Sequence, residues 1–244
     1  MPHPITATYR FLRGDGSLTV AVCILVFFVF GMGPLAELGL VGRLPLALAF
    51  YSSLALGAWF VFEPRPLVRA FLAALSLALL LRLLNVSFDR LWLELADALA
   101  TIVAAGLLAT LLIARVLRDG RINVHRIAGA IGTFLLLGSM FTQAFRLLAI
   151  EIPGAFASGG APMPLEELLP RLSYFSFITL TSVGFGDIVP VHPIARSLAV
   201  LEALVGQLFL AVLVARLVGM EIEWRQEQRR REREAEREAS APRE

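Results

Sequence analysis

Residues 181–187 read Thr-Ser-Val-Gly-Phe-Gly-Asp and lie between two apolar stretches in the C-terminal half of the chain. Their types and spacing suit one kind of chemistry, the replacement of a cation's hydration water. A cation entering a narrow passage must shed that water, and rings of backbone carbonyls supply oxygens in its place. Aiming successive carbonyls at one axis requires backbone angles of alternating handedness. Gly184 and Gly186, two residues apart, take positive φ at little steric cost. Val183 and Phe185 are then expected to point away from the axis and pack behind the segment. Ser182 offers a hydroxyl for the innermost ring. Asp187, just past the segment, puts a carboxylate at the outer mouth and concentrates cations there. Residues 169–180 read as a short helix with Pro170 in its first turn. The negative end of that helix would face the dehydrated cation.

The rest of the chain must hold this segment inside a bilayer. Of its 244 residues 57% are hydrophobic, and the mean hydropathy is +0.74. These values exceed what a soluble domain of this size carries and indicate an all-α membrane protein with several spans. The net charge is only +2, and no nucleic-acid partner is expected. Cys23, the single cysteine, lies in an apolar run and reads as a lipid- or helix-facing small residue.

Six runs approach or exceed the roughly 20 residues needed to cross the hydrocarbon. They cover about 18–40, with a kink near Gly31–Pro34, then 44–62, 67–84, 91–116, 127–150 and 193–219. The organisation expected is a cytoplasmic N-terminus (1–17), a four-helix peripheral domain (18–117) and a basic linker (118–126). A two-span module carrying the short helix and the 181–187 segment follows (127–219), then a charged tail (220–244). Residues 153–164, rich in Gly, Pro and Ala, read as a flexible loop. The tail alternates Arg with Glu and reads as a solvated continuation of the last helix that frays into disorder. All 22 basic residues are Arg. Their bias places both termini on the cytoplasmic side of a plasma membrane.

The string Thr181–Asp187 resembles the selectivity-filter sequence T-T-V-G-Y-G-D of potassium channels, with Ser182 for the second threonine and Phe185 for tyrosine. The resemblance covers about residues 127–219, and the chain as a whole is similar to bacterial six-span potassium channels. It implies a homotetramer in the lipid bilayer that conducts potassium passively, with a re-entrant pore helix, no cofactor and no enzymatic activity. The filter would be Thr181–Gly186, with potassium held at Ser182, Val183, Gly184 and Phe185 and with Asp187 at the outer mouth. Gly206, 19 residues after Asp187, matches the family's gating hinge; close packing of helices explains a glycine there equally well. Gln207 faces the cavity below the filter in this reading, and Leu210 and Val214 continue that face toward an apolar constriction. Phe185 lacks the tyrosine hydroxyl, and the pore helix lacks the tryptophans of some family members. A weakly selective monovalent cation channel is therefore the alternative.

Arg115, Arg118 and Arg121 recur at the spacing of a voltage sensor, which makes a voltage-gated potassium channel a further alternative. They begin only at the predicted inner boundary, as anchors on the positive side do. Arg82 and Asp97 either pair across a hairpin or lie separately at the interface. Glu202, two turns inside the last span, is a candidate support for the filter. It would pair with Arg146 or accept hydrogen bonds from hydroxyls such as Thr179. Gly184–Asp187 also fits the G-x-G-D of intramembrane aspartyl proteases. That chemistry needs a second, facing aspartate, and the neighbouring motifs of those families are missing.

Overall fold

The computed structural model describes residues 16–31, 48, 51–52, 54–55, 66–88, 91–116 and 124–240. The chain is mostly helical. Helix α1 (Gly16–Val26) runs into a π-helical turn at Phe27–Gly31. Helices α2 (Pro66–Phe88), α3 (Leu91–Val116) and α4 (Val124–Glu151) follow. Three short strands come next, β1 (Phe156–Ser158), β2 (Ala161–Pro162) and β3 (Val189–Pro190), with helix α5 (Leu165–Leu180) between β2 and β3. Helix α6 (Pro193–Ser240) ends the described chain.

Among the described residues four helices are long and apolar enough to span a bilayer, over Pro66–Asn85, Leu91–Ala114, Arg126–Glu151 and Pro193–Arg233. This is an all-α membrane protein. Of the first two expected spans only parts are described, 16–31 and a few residues between 48 and 55. Arg118 and Arg121 lie outside the described residues.

Small residues let the helices approach one another. Ala98, Ala100, Ala104 and Ala109 of α3 are buried, and close backbone approach of this kind replaces the hydrophobic drive that lipid removes. Phe71 and Ala78 of α2 and Leu136 of α4 complete that core. Hydroxyls inside α4 satisfy themselves on the preceding turn: Thr133, Ser139 and Thr142 each donate to a carbonyl four residues back. An apolar surrounding demands this internal pairing.

Charge is buried at one end of this bundle. Arg82 of α2 donates to Asp97 of α3 at 2.7 Å, and Asp97 is only 1% exposed. Arg146 of α4 reaches Glu94 at 3.3 Å and Asp97 at 3.9 Å. Two cations and two anions thus join three helices. Arg82 and Asp97 do pair across the hairpin.

Two expectations need correction. Residues 153–164 are not simply a flexible loop. Ser158 and Ala161 pair across Gly159 and Gly160, whose φ values of 58° and 84° are those a tight two-residue hairpin demands. Strand β1 also pairs with β3, so the sheet order is β2-β1-β3, antiparallel throughout. The short helix begins at Leu165 rather than 169. Pro170 therefore stands inside it and removes one helical hydrogen bond. The tail continues the last helix past 219, as expected. It continues to Ser240, with Arg225–Glu221 and Arg231–Glu227 paired at 2.8 and 3.1 Å one turn apart.

Candidate functional site

The site is the turn that leaves the C-terminus of α5. Glu166 and Glu167 lie in that helix's first turn, where carboxylates suit the dipole. Its last turn is closed from both sides. The Thr181 N–H and hydroxyl both donate to the Phe177 carbonyl, at 3.1 and 2.7 Å. The Ser182 N–H donates to Thr179, and those of Val183 and Gly184 share the Ile178 carbonyl. The segment therefore hangs from the helix end by its own backbone.

Beyond that anchor the handedness alternates. Ser182, Gly184 and Gly186 have φ of 58°, 54° and 79°, while Val183 and Phe185 between them stay on the ordinary side. Gly184 and Gly186 take the angles expected of them. Ser182 does so too, which its residue type gave no reason to expect. A non-glycine in the left-handed region is strained and is held only by its surroundings. Here Gln207 of α6 donates to Ser182 Oγ at 3.0 Å.

Val183 and Phe185 do not pack behind the segment within this chain. They are 54% and 71% exposed, and the whole stretch 181–187 is open to its surroundings. Leu210 and Val214 on α6 are exposed as well. Asp187 at the mouth stands beside the Tyr174 phenol of α5, within its electrostatic reach. From the sequence Tyr174, Phe175 and Phe177 stand where some family members carry tryptophans and are expected to support the segment by packing.

Behind α5 the support is aromatic. Phe145, Phe156 and Phe175 meet edge to face, with ring centroids 5.0 to 5.9 Å apart, and so join α4, β1 and α5. Phe177 fills the space left by the missing side chain of Gly138 on α4, where a Cβ would stand 2.5 Å from its ring. Downstream, Val191 N–H donates to Ala155, and Arg196 Nε donates to Pro190 at 3.1 Å. His192 Nδ1 accepts from Ile194 N–H at the start of α6.

Gly206 is a point of backbone contact. A Cβ built there would overlap the Leu180 carbonyl oxygen and lie 3.0 Å from its carbon. Around Gly206 α6 runs unbroken, and the close approach to Leu180 is the packing contact expected of a glycine there. Glu202 pairs neither with Arg146 nor with Thr179. Arg146 is engaged by Glu94 and Asp97, and Thr179 donates to Phe175 within its own helix. Glu202 meets Ser176 instead, with Oε1 and Oγ 2.5 Å apart. Both side chains are fully buried.

A family model described as an ion channel matches residues 169–222. The chain is similar to Protein LctB of Bacillus caldotenax, with 32% identity over 122 residues, which are 48% of this chain and 87% of LctB. It is similar to the potassium voltage-gated channel protein shk-1 of Caenorhabditis elegans, with 32% identity over 73 residues, 30% of this chain and 14% of that protein. It is also similar to two pore potassium channel c of Oryza sativa subsp. japonica, with 30% identity over 94 residues, 38% of this chain and 18% of that protein. The chain spans less than a fifth of either potassium channel. No solved structure matches it.

Proposed function

Since this chain belongs to the pore-loop ion-channel family, we propose that four copies line one pore through which potassium crosses the membrane passively, down its electrochemical gradient. The observation that carries this reading is the alternation of φ from Ser182 to Gly186. Such alternation would turn successive carbonyls of Ser182–Phe185 toward one side. One such strand cannot enclose an ion, whereas four related by a closed rotation can. The exposure of Val183 and Phe185 fits the same picture, because their packing then comes from a neighbouring copy. Helix α5 is in this reading the re-entrant pore helix, and Leu210 and Val214 face the inner pore. Both termini are cytoplasmic and the membrane is the plasma membrane. The protein needs no cofactor beyond the permeant ion.

The same arrangement speaks against a protease. Asp97 is paired with Arg82 at 2.7 Å, so it is engaged by a cation rather than sharing a proton with Asp187.

The test is the reversal potential of the reconstituted protein under opposing potassium and sodium gradients. The expected value lies near potassium equilibrium. A value near zero would replace this reading with a weakly selective cation channel, which Phe185 favours because it has no hydroxyl to fix the filter from behind.

A second expectation concerns the outer end of the filter. Tyr174→Phe removes the phenol oxygen beside Asp187 and loosens that end. Potassium currents are expected to decline faster during sustained activity, with assembly unaffected. Unaltered decay in single-channel records would show that the contact does not hold the filter.

A further inference from the structure

The carboxyl group of Glu202 poses a hydrogen-counting problem. Ser176 Oγ lies 2.5 Å from Glu202 Oε1 and 2.8 Å from the Gly138 carbonyl oxygen. A serine hydroxyl carries one hydrogen, and a peptide carbonyl carries none. With an ionised Glu202, three oxygens in a row would share that single hydrogen. One of the two contacts would then set lone pair against lone pair. The arrangement closes only if a second hydrogen is present, and the carboxyl is the one group of the three that can hold it.

Among the described residues the surroundings offer no counter-charge in its place. Helix α6 packs against α4, α5 and β3. On α4, Arg146 turns to Glu94 and Asp97, while His125, Arg126 and Glu151 stand at the helix ends. Gly138 is at mid-helix, about 20 Å from either end at 1.5 Å per residue. On α5, Tyr174 faces Asp187, and Glu166, Glu167 and Arg171 are exposed. Strand β3 carries no charge. Glu202 is 0% exposed, and its second oxygen has no hydrogen-bond partner among the described residues. A bare negative charge there would be uncompensated.

We infer that Glu202 is carried as a neutral carboxylic acid: its O–H donates to Ser176, whose own O–H donates to Gly138, and this relay pins α6 and α4 to the helix that presents the 181–187 segment. Glu202 is thus a positioning residue. The protonation follows from these contacts and from burial, on a Gly138 carbonyl that also accepts the Thr142 hydroxyl. Its role in flux rests on the channel reading.

Infrared spectroscopy of the membrane-reconstituted full chain at neutral pH tests this without any substitution. Carboxylates do not absorb where a carboxylic-acid C=O stretches, so an acid band that shifts when the protein is made with δ-13C-glutamate is the expected signature. The absence of such a band in the assembled protein would overturn the inference. Ser176→Ala should move the band to higher frequency, since the acid loses its acceptor; an unmoved band would assign it to another glutamate and would also overturn it. Glu202→Gln keeps an N–H donor and should retain flux within about twofold, whereas Glu202→Val should lose it. Equal loss in both would contradict the donor role. A chain that shows the band yet passes no ions would count against the channel and leave the neutral acid standing.

Discussion

Ion flux is expected to disappear in Gly206→Ala, by a hundredfold or more (about 3 kcal/mol at the conducting conformation,). The added methyl would occupy the space of the Leu180 carbonyl oxygen and press on its carbon at 3.0 Å. These are backbone atoms, so no side-chain rotation relieves the overlap. Either α6 moves out or the end of α5 moves up. The 181–187 segment hangs from Phe177, Ile178 and Thr179 of that end, so either shift displaces its carbonyls from the common axis. The hinge role expected from family resemblance makes a different prediction. It leaves the filter intact and alters only how often the pore opens. Flux assays with paired potassium and sodium gradients separate the two. Wild-type selectivity with altered open probability would support the hinge, and lost or unselective flux supports the contact.

The second large effect concerns stability. Arg82→Met is expected to destabilise the fold by about 3 kcal/mol, at the lower end for breaking a buried ion pair. Asp97 is 1% exposed and, among the described residues, would keep only Arg146, at 3.9 Å, as a cationic neighbour. Arg82 is partly open, and water reaching its site moderates the loss. The cost comes from leaving a carboxylate stranded, so Arg82→Met/Asp97→Leu should recover most of it. Thermal unfolding in detergent checks both variants. If the double variant unfolds as early as the single one, the pair holds the helices by shape rather than by charge.

The sequence made the centre of the site legible because two glycines two residues apart have few uses in an apolar chain. Gly184 and Gly186 take the angles their spacing demands. Ser182 could not be read the same way, since its conformation is imposed by Gln207 and the helix end, both set by tertiary packing. The pairing of Arg82 with Asp97 was accessible because a hairpin brings those positions level. Glu202 was recognisable as unusual, but its partner depended on how α6 crosses α5, and one turn of difference separates Thr179 from Ser176. The hairpin at 156–162 was missed although its signal was present. Gly159-Gly160 is a two-residue turn sequence, and the surrounding Gly, Pro and Ala disguised it as slack chain. The start of α5 was misplaced because Pro170 was taken as a first-turn proline, and Pro164 is the residue that precedes the helix.

Helix α6 has a mechanical consequence. Its 48 residues from Pro193 to Ser240 extend about 72 Å at 1.5 Å per residue, more than twice the roughly 30 Å of bilayer hydrocarbon. No joint separates the part that touches Leu180 and Ser182 from the arginine- and glutamate-rich part beyond Met220. In a four-fold pore this makes each tail a lever whose short arm is the wall of the ion path. Torque applied to the charged end, by a binding partner or by mutual repulsion, arrives at Gly206 and Gln207 without being lost in a flexible linker.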